Sequence, residues 1–193
     1  HPTGTSEDLF LFTSGPRDAR VVLIGEAWGS EEAAACKPFV GSAGKELDRI
    51  LFDAGLERAN LLCTNLVPSR PPENDFTAFL YPSSEKGITN VRGIKCKPGL
   101  VAGLARLESL LELVSPDLVI VAGNWPLWAL TDQAEVTTTS GFKTPKGITK
   151  WRGSQLWSRP IGLSAKQYPV LPTIHPAAVL REWGWRSITV HDL

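Results

Sequence analysis

Three short segments of this chain carry residue types that could do chemistry, and each follows directly on an apolar run. Gly25-Glu26-Ala27-Trp28-Gly29 continues Val21-Val22-Leu23-Ile24 and leads to Pro38-Phe39-Val40-Gly41-Ser42-Ala43-Gly44. A carboxylate just beyond a buried strand sits in a partly dry setting, suited to general-base or electrostatic work. Phe39 offers a flat face to a planar ring, and the glycines permit positive φ and close approach of backbone to a ligand. Thr64-Asn65 ends a second apolar run and opens Pro68-Ser69-Arg70-Pro71-Pro72-Glu73-Asn74. An asparagine at a strand end presents donor and acceptor together, and an arginine in a proline-stiffened loop suits a phosphate. Thr173-Ile174-His175-Pro176 ends a third run, where burial can tune a histidine to donate to a developing anion. Each segment also has a plain structural reading: a βα turn with a capping acid and a core Phe, an Asn satisfying local backbone, a packed or capping His. Val179-Leu180, beyond the histidine, reads equally as a wedge or as helix core.

The elements that must position these residues follow from hydrophobic patterning. Residues 1–20 read as a lead-in around the apolar patch Leu9 to Phe12. Continuous apolar runs at Val21–Ile24, Asn60–Val67, Leu118–Val121 and Val170–Ile174 predict strands buried on both faces. Helical spacing spans Ser42–Leu56 and, most clearly, Leu100–Val114, which Pro116 closes; Asn124–Leu130 predicts a short helix. Residues 75–95 look irregular, residues 132–148 are expected to be the least ordered stretch, and Trp151–Trp157 an edge strand. Strands alternating with helices predict an α/β fold with a mainly parallel sheet between helical layers, whose ligands bind beyond the carboxyl ends of the strands. The three chemistry-bearing loops occupy that position. No G-x-G-x-x-G and no Gly-Lys-Ser/Thr phosphate loop is present, which counts against a nucleotide-binding Rossmann domain.

Length and composition fit one soluble domain: 193 residues, 42% hydrophobic and 21% charged. No apolar run reaches the roughly 18 residues of a membrane span, and the N-terminus lacks a signal peptide's basic and apolar regions. Twenty basic and twenty acidic side chains give zero net charge, which argues against bulk electrostatic attraction to nucleic acid but leaves room for a local basic face. Three scattered cysteines, Cys36, Cys63 and Cys96, point to a reduced, cytoplasmic chain. The absence of methionine suggests a single domain, residues 1–193, cut from a longer protein.

Taken together, the loops resemble one family in order and spacing. Gly25-Glu26-Ala27-x-Gly29 with Pro38-Phe39-Val40-Gly41-x-Ala43-Gly44 is similar to the first motif of the family 4 uracil-DNA glycosylases. Thr64-Asn65 with Arg70-Pro71-Pro72-x-Asn74 is similar to their second block, and Thr173-x-His175-Pro176 with Leu180-Arg181 to their last. Cys96-Lys97-Pro98 through Ala122-Gly123 and Arg152-Gly153 also follow the family, so the likeness covers about residues 17–193. It implies a four-stranded parallel sheet in a three-layer α/β/α sandwich, and a nucleotide flipped out of DNA into a pocket. By this resemblance Phe39 stacks on the base and Asn65 reads its edge, with Ala27 and Trp28 completing the base-binding set. His175 stabilises charge on the departing base. Glu26 orients water or supports the positive sugar, and Asn74 assists; a carboxylate beneath an oxocarbenium-like sugar is the physical requirement of such cleavage. Ser42, Arg70, Arg152 and Arg181 are candidates for phosphate contacts, and Leu180 for a contact with the opened DNA.

Two departures matter. The family pattern carries four cysteines for an iron–sulfur cluster; here Ser69 stands where the second block has one, the N-terminal pair is missing, and only Cys96 matches, so no cofactor is expected. Trp28 replaces the proline of the first motif. That change leaves the excised base open between uracil and a modified pyrimidine such as occurs in phage DNA. The expectation is therefore a monomeric bacterial or phage DNA glycosylase acting in repair by base excision, the alternative being a non-catalytic DNA- or base-binding module of a replication protein.

Overall fold

The computed structural model describes residues 6–193. A short helix α1 (Ser6–Phe10) leads to strand β1 (Val21–Ala27), helices α2 (Ser30–Ala35) and α3 (Ser42–Asp53), and strand β2 (Leu61–Val67). Helix α4 (Pro98–Val114), strand β3 (Leu118–Ala122) and helix α5 (Asn124–Leu130) follow. The chain continues through β4 (Glu135–Thr139), β5 (Phe142–Lys146), α6 (Ile148–Trp151), β6 (Leu156–Trp157), β7 (Pro169–Thr173), α7 (Pro176–Arg181) and α8 (Trp185–Asp192).

The main sheet has the order β2-β1-β3-β7-β6. The first four strands are parallel, as the apolar runs predict, but the sheet has five: β6 adds two residues, antiparallel, beside β7. The sequence expectation of an edge strand over Trp151–Trp157 is corrected to its last two residues, because Trp151 ends a short helix instead. The strands bury both faces, and their alternation sorts the core. Val22, Ile24, Leu62, Leu66, Val119 and Val121 pack towards Leu100, Leu104, Leu107 and Leu111 of α4. Leu23, Leu61, Cys63 and Ile120 pack on the other side with Leu47 and Leu51 of α3. The result is the expected three-layer α/β/α sandwich.

Two segments differ from the sequence reading. Residues 132–148 are ordered by a two-stranded hairpin, β4 against β5. Ser140 and Gly141 both take positive φ (50° and 81°), the geometry of a tight turn whose twist matches the flanking strands. The outer edge of the sheet is also covered. Ser14 and Cys63 exchange backbone hydrogen bonds of 2.9 and 2.7 Å, an isolated bridge by which the lead-in meets β2, and β2 is buried over its whole length.

β1 lies between β2 and β3, with the chain leaving it towards one neighbour and returning on the other. This reversal opens a crevice beyond the carboxyl ends of the strands, the usual ligand position in such sheets.

Candidate active site

A cavity of about 530 Å³ opens at that crevice. Its walls bring together Glu26, Ala27 and Trp28 from the end of β1, Phe39 and Ser42 from the following loop, and Asn65 from the end of β2. Asn74, His175 and Arg181 complete the sequence-selected residues on its lining. The rings of Phe39 and His175 lie 6.2 Å apart at 30°.

Glu26 closes β1 against the start of α5. The backbone N–H groups of Trp125 and Asn124 donate to its carboxylate. Gly123 makes this approach possible: a Cβ there would lie 2.5 Å from Glu26 Oε1, and its φ of +99° suits glycine. Burial nevertheless pushes the Glu26 carboxyl up to about 7, against the opposing pull of those N–H groups and the Arg181 charge. The group is thus poised near neutrality, where a general base or an electrostatic partner is most useful.

His175 is fixed by its own helix. As N-cap of α7 it accepts the Ala177 N–H at Nδ1 (3.2 Å), ahead of Pro176 at the first helical position. Burial pushes the imidazole down to about 4, with the nearby Arg181 charge acting the same way. The ring is therefore neutral at pH 7. Since Nδ1 accepts, the proton sits on Nε2, which is buried and has no partner. His175 presents one neutral N–H donor to the cavity.

Asn65 is 3% exposed. Its Nδ2 donates to the Ala27 carbonyl at 3.4 Å, leaving Oδ1 buried and unpartnered. Behind it, Arg106 of α4 donates to the Asn65 carbonyl (2.6 Å) and Thr64 Oγ1 (3.0 Å), which secures the end of β2. Phe39 is held at φ +54°, a strained conformation for an aromatic residue. Arg58 donates to its carbonyl at 3.0 Å and is anchored by Asp48 at 2.8 Å, while Gly44 leaves room for that carbonyl.

The remaining sequence-selected residues divide. Asn74, at φ +58°, accepts from Arg70 Nε at 3.1 Å, which places the exposed Arg70 beside the cavity mouth. Arg181 lines the cavity, and Leu180 stays 43% exposed on α7. Ser42 is exposed, but its backbone N–H is already taken by Glu31 Oε2 at 3.1 Å. Arg152 is not brought to the cavity lining: it pairs with the buried Asp192 carboxylate at 3.1 Å, which also accepts from Thr173 at 3.1 Å. Its role here is to dock α8, and a phosphate contact is not where the structure places it.

Glu32 went unselected in the sequence. It lines the cavity and accepts the N–H groups of Gly41 (2.8 Å) and Gly29 (3.2 Å), clipping the two ends of the loop together. Only its place three residues after Gly29 hinted at this. Asn124, Phe76 and Trp185 also reach the lining from segments the motifs did not flag.

An iron–sulfur cluster does not fit these residues. Cys36 is exposed, Cys63 and Cys96 are buried apart, and burial pushes both buried thiols up to about 11, away from the thiolate a cluster needs. Ser69 uses its backbone carbonyl to accept from Trp28, and among the described residues no group of three or more metal-ligating side chains assembles. No described helix is long and apolar enough to cross a membrane.

Comparison with known proteins agrees with this geometry. Residues 12–191 match the model of the uracil DNA glycosylase superfamily. A type-4 uracil-DNA glycosylase of Thermotoga maritima is 31% identical over 182 residues, which cover 93% of this chain and 77% of that protein. Those of Saccharolobus solfataricus (31%, covering 92% and 70%) and Sulfurisphaera tokodaii (30%, covering 90% and 67%) are similar. With an α/β/α sandwich, a strand-end cavity and a family match spanning nearly all its length, the chain belongs to the uracil DNA glycosylase superfamily.

Proposed function

We propose that this chain is a DNA glycosylase that draws a uracil nucleotide out of DNA and hydrolyses its N-glycosidic bond. The observation that carries the reading is the pairing, in one cavity, of a neutral imidazole N–H with a carboxylate poised near neutrality. Cleavage leaves negative charge on the pyrimidine and positive charge on the sugar. A preset donor at Nε2 of His175 meets the first at a ring carbonyl oxygen without giving up a proton. Ionised Glu26 meets the second, or orients the water that adds to the sugar carbon. Phe39 stacks on the base, and Asn65 accepts its ring N–H at Oδ1. Asn74, its Oδ1 held by Arg70, keeps its amide N–H groups for the substrate backbone.

Arg70 and Arg181 contact phosphates on either side, and Leu180 enters the space the flipped base vacates. The volume of about 530 Å³ falls within the usual range for small-molecule sites, about 300–1,000 Å³, and leaves space for a substituted pyrimidine as well as uracil.

The test uses single- and double-stranded oligonucleotides carrying uracil, treated with alkali after incubation. Strand breaks that fall by at least about 100-fold in Glu26→Ala and His175→Ala are expected. Tight binding with no breaks would instead make the chain a non-catalytic base-binding module.

A further inference from the structure

Three buried polar atoms around this cavity lack any partner: Nε1 of Trp28, Oδ1 of Asn65 and Nε2 of His175. Trp28 is 6% exposed and held from two sides. Its ring stands edge-on to Phe12, with centroids 5.5 Å apart, and its backbone N–H donates to the Ser69 carbonyl at 3.2 Å. A buried indole N–H ordinarily finds an acceptor, and one left unmet carries the whole desolvation penalty of the group. A proline at this position, as in the motif the loop resembles, would have no donor to satisfy.

We propose that Trp28 is a specificity-determining residue of the base pocket, its indole N–H donating to the exocyclic oxygen at C4 of the bound pyrimidine. The assignment rests on the glycosylase reading and adds to it the residue that reads the oxygen at C4. The edge of such a base runs acceptor, donor, acceptor: O4, N3–H, O2. Trp28, Asn65 and His175 offer the complement, namely donor, acceptor, donor. Asn65 gives one amide hydrogen to the Ala27 carbonyl, and O4, with two lone pairs, has room for the indole N–H beside the second. A 4-amino pyrimidine reverses two of the three positions. Its amino group would face the indole N–H, and its bare N3 would face Oδ1, leaving buried groups unpaired on both sides.

The experiment compares wild type and Trp28→Phe, which keeps an aromatic ring and removes the N–H, on oligonucleotides carrying uracil or 4-thiouracil, whose sulfur is a poor acceptor. The Trp28→Phe variant should have a kcat/KM on uracil lower by about 5- to 100-fold, the range of one buried hydrogen bond. On 4-thiouracil the two proteins should differ by no more than about 3-fold, given that the contact is already weak there. In the wild-type protein, the indole N–H resonance of Trp28 should move downfield as free uracil is added, and stay in place with 2-pyrimidinone, which lacks O4. This second readout holds even if the variant folds poorly. Equal activity of both proteins on uracil, an equal loss on both substrates, or an unmoved indole resonance with uracil bound overturns the assignment while leaving the glycosylase reading intact. A wild-type chain that neither excises nor binds uracil takes both down.

Discussion

Glu26 and His175 are pushed in opposite senses by the same burial, and the directions decide how activity and stability respond to pH. The productive pair is ionised Glu26 with neutral His175. His175 is neutral above about 4 and Glu26 ionises near 7, so kcat/KM should rise about tenfold per pH unit towards 7 and then level off. A profile flat from pH 5 to 8 would remove Glu26 from the reaction. Stability follows the same two shifts, with opposite slopes. Glu26, raised from 4.5 to about 7, favours the fold when protonated, and its contribution is lost as pH climbs through 7. His175, lowered from 6.5 to about 4, favours the fold when neutral, and its contribution is lost as pH falls towards 4. Over pH 4.5–6.5 the two slopes offset. Glu26→Gln should therefore inactivate the protein yet gain on wild type by up to about 3 kcal/mol between pH 4 and 8, and should uncover the acid-side loss due to His175. Denaturant melts of both proteins across that range test this.

At the scale of elements, the glycines beside the cavity separate positioning from folding. A Cβ on Gly25 would meet the far ends of Phe39 and Asn65, at 2.6 Å from Cζ and 2.7 Å from Nδ2. Those tips can yield, but they are the groups offered to the base. Gly25→Ala should cut kcat/KM by about tenfold or more with a small change in melting temperature. A Cβ on Gly44 would sit 1.9 Å from the Phe39 carbonyl oxygen, where only backbone can move. Gly44→Ala should cost about 1–3 kcal/mol in urea melts as well as activity.

The main strands were legible because both their faces are buried, which writes an unbroken apolar run, and the site was legible because its residues stand where those runs stop. The hairpin was not: Glu135–Thr139 and Phe142–Lys146 are half-exposed or exposed except for Pro145, so their polar, threonine-rich sequence looks like a loop. The bond from Gly41 to Glu32 and the pairing of Arg152, which the sequence had offered to a phosphate, escaped for a different reason. The partners, Gly41 and Asp192, are set by the tertiary fold and leave no local spacing to read.

For the molecule as a whole, zero net charge limits how strongly the surface as such can hold DNA. Arg70 and Arg181 are the arginines at the cavity that form no ion pair among the described residues. With two phosphates neutralised, log affinity for duplex DNA should fall with log salt at a slope of about −2, and Arg181→Ala should flatten it by about one. Arg152→Ala should leave the slope alone and lower stability by roughly 2–4 kcal/mol, because it strands a buried carboxylate. Binding titrations from low to moderate salt, alongside melts, distinguish the two arginines. The bridged segment along β2 has a consequence beyond catalysis. A long apolar border left open would template intermolecular β-pairing, yet here Ser14 occupies the peptide groups of Cys63, and the opposite margin ends in a two-residue strand. Removing the lead-in up to Ser14 should accordingly raise fibril-like association well below the melting point, read as a gain in thioflavin fluorescence over the full chain.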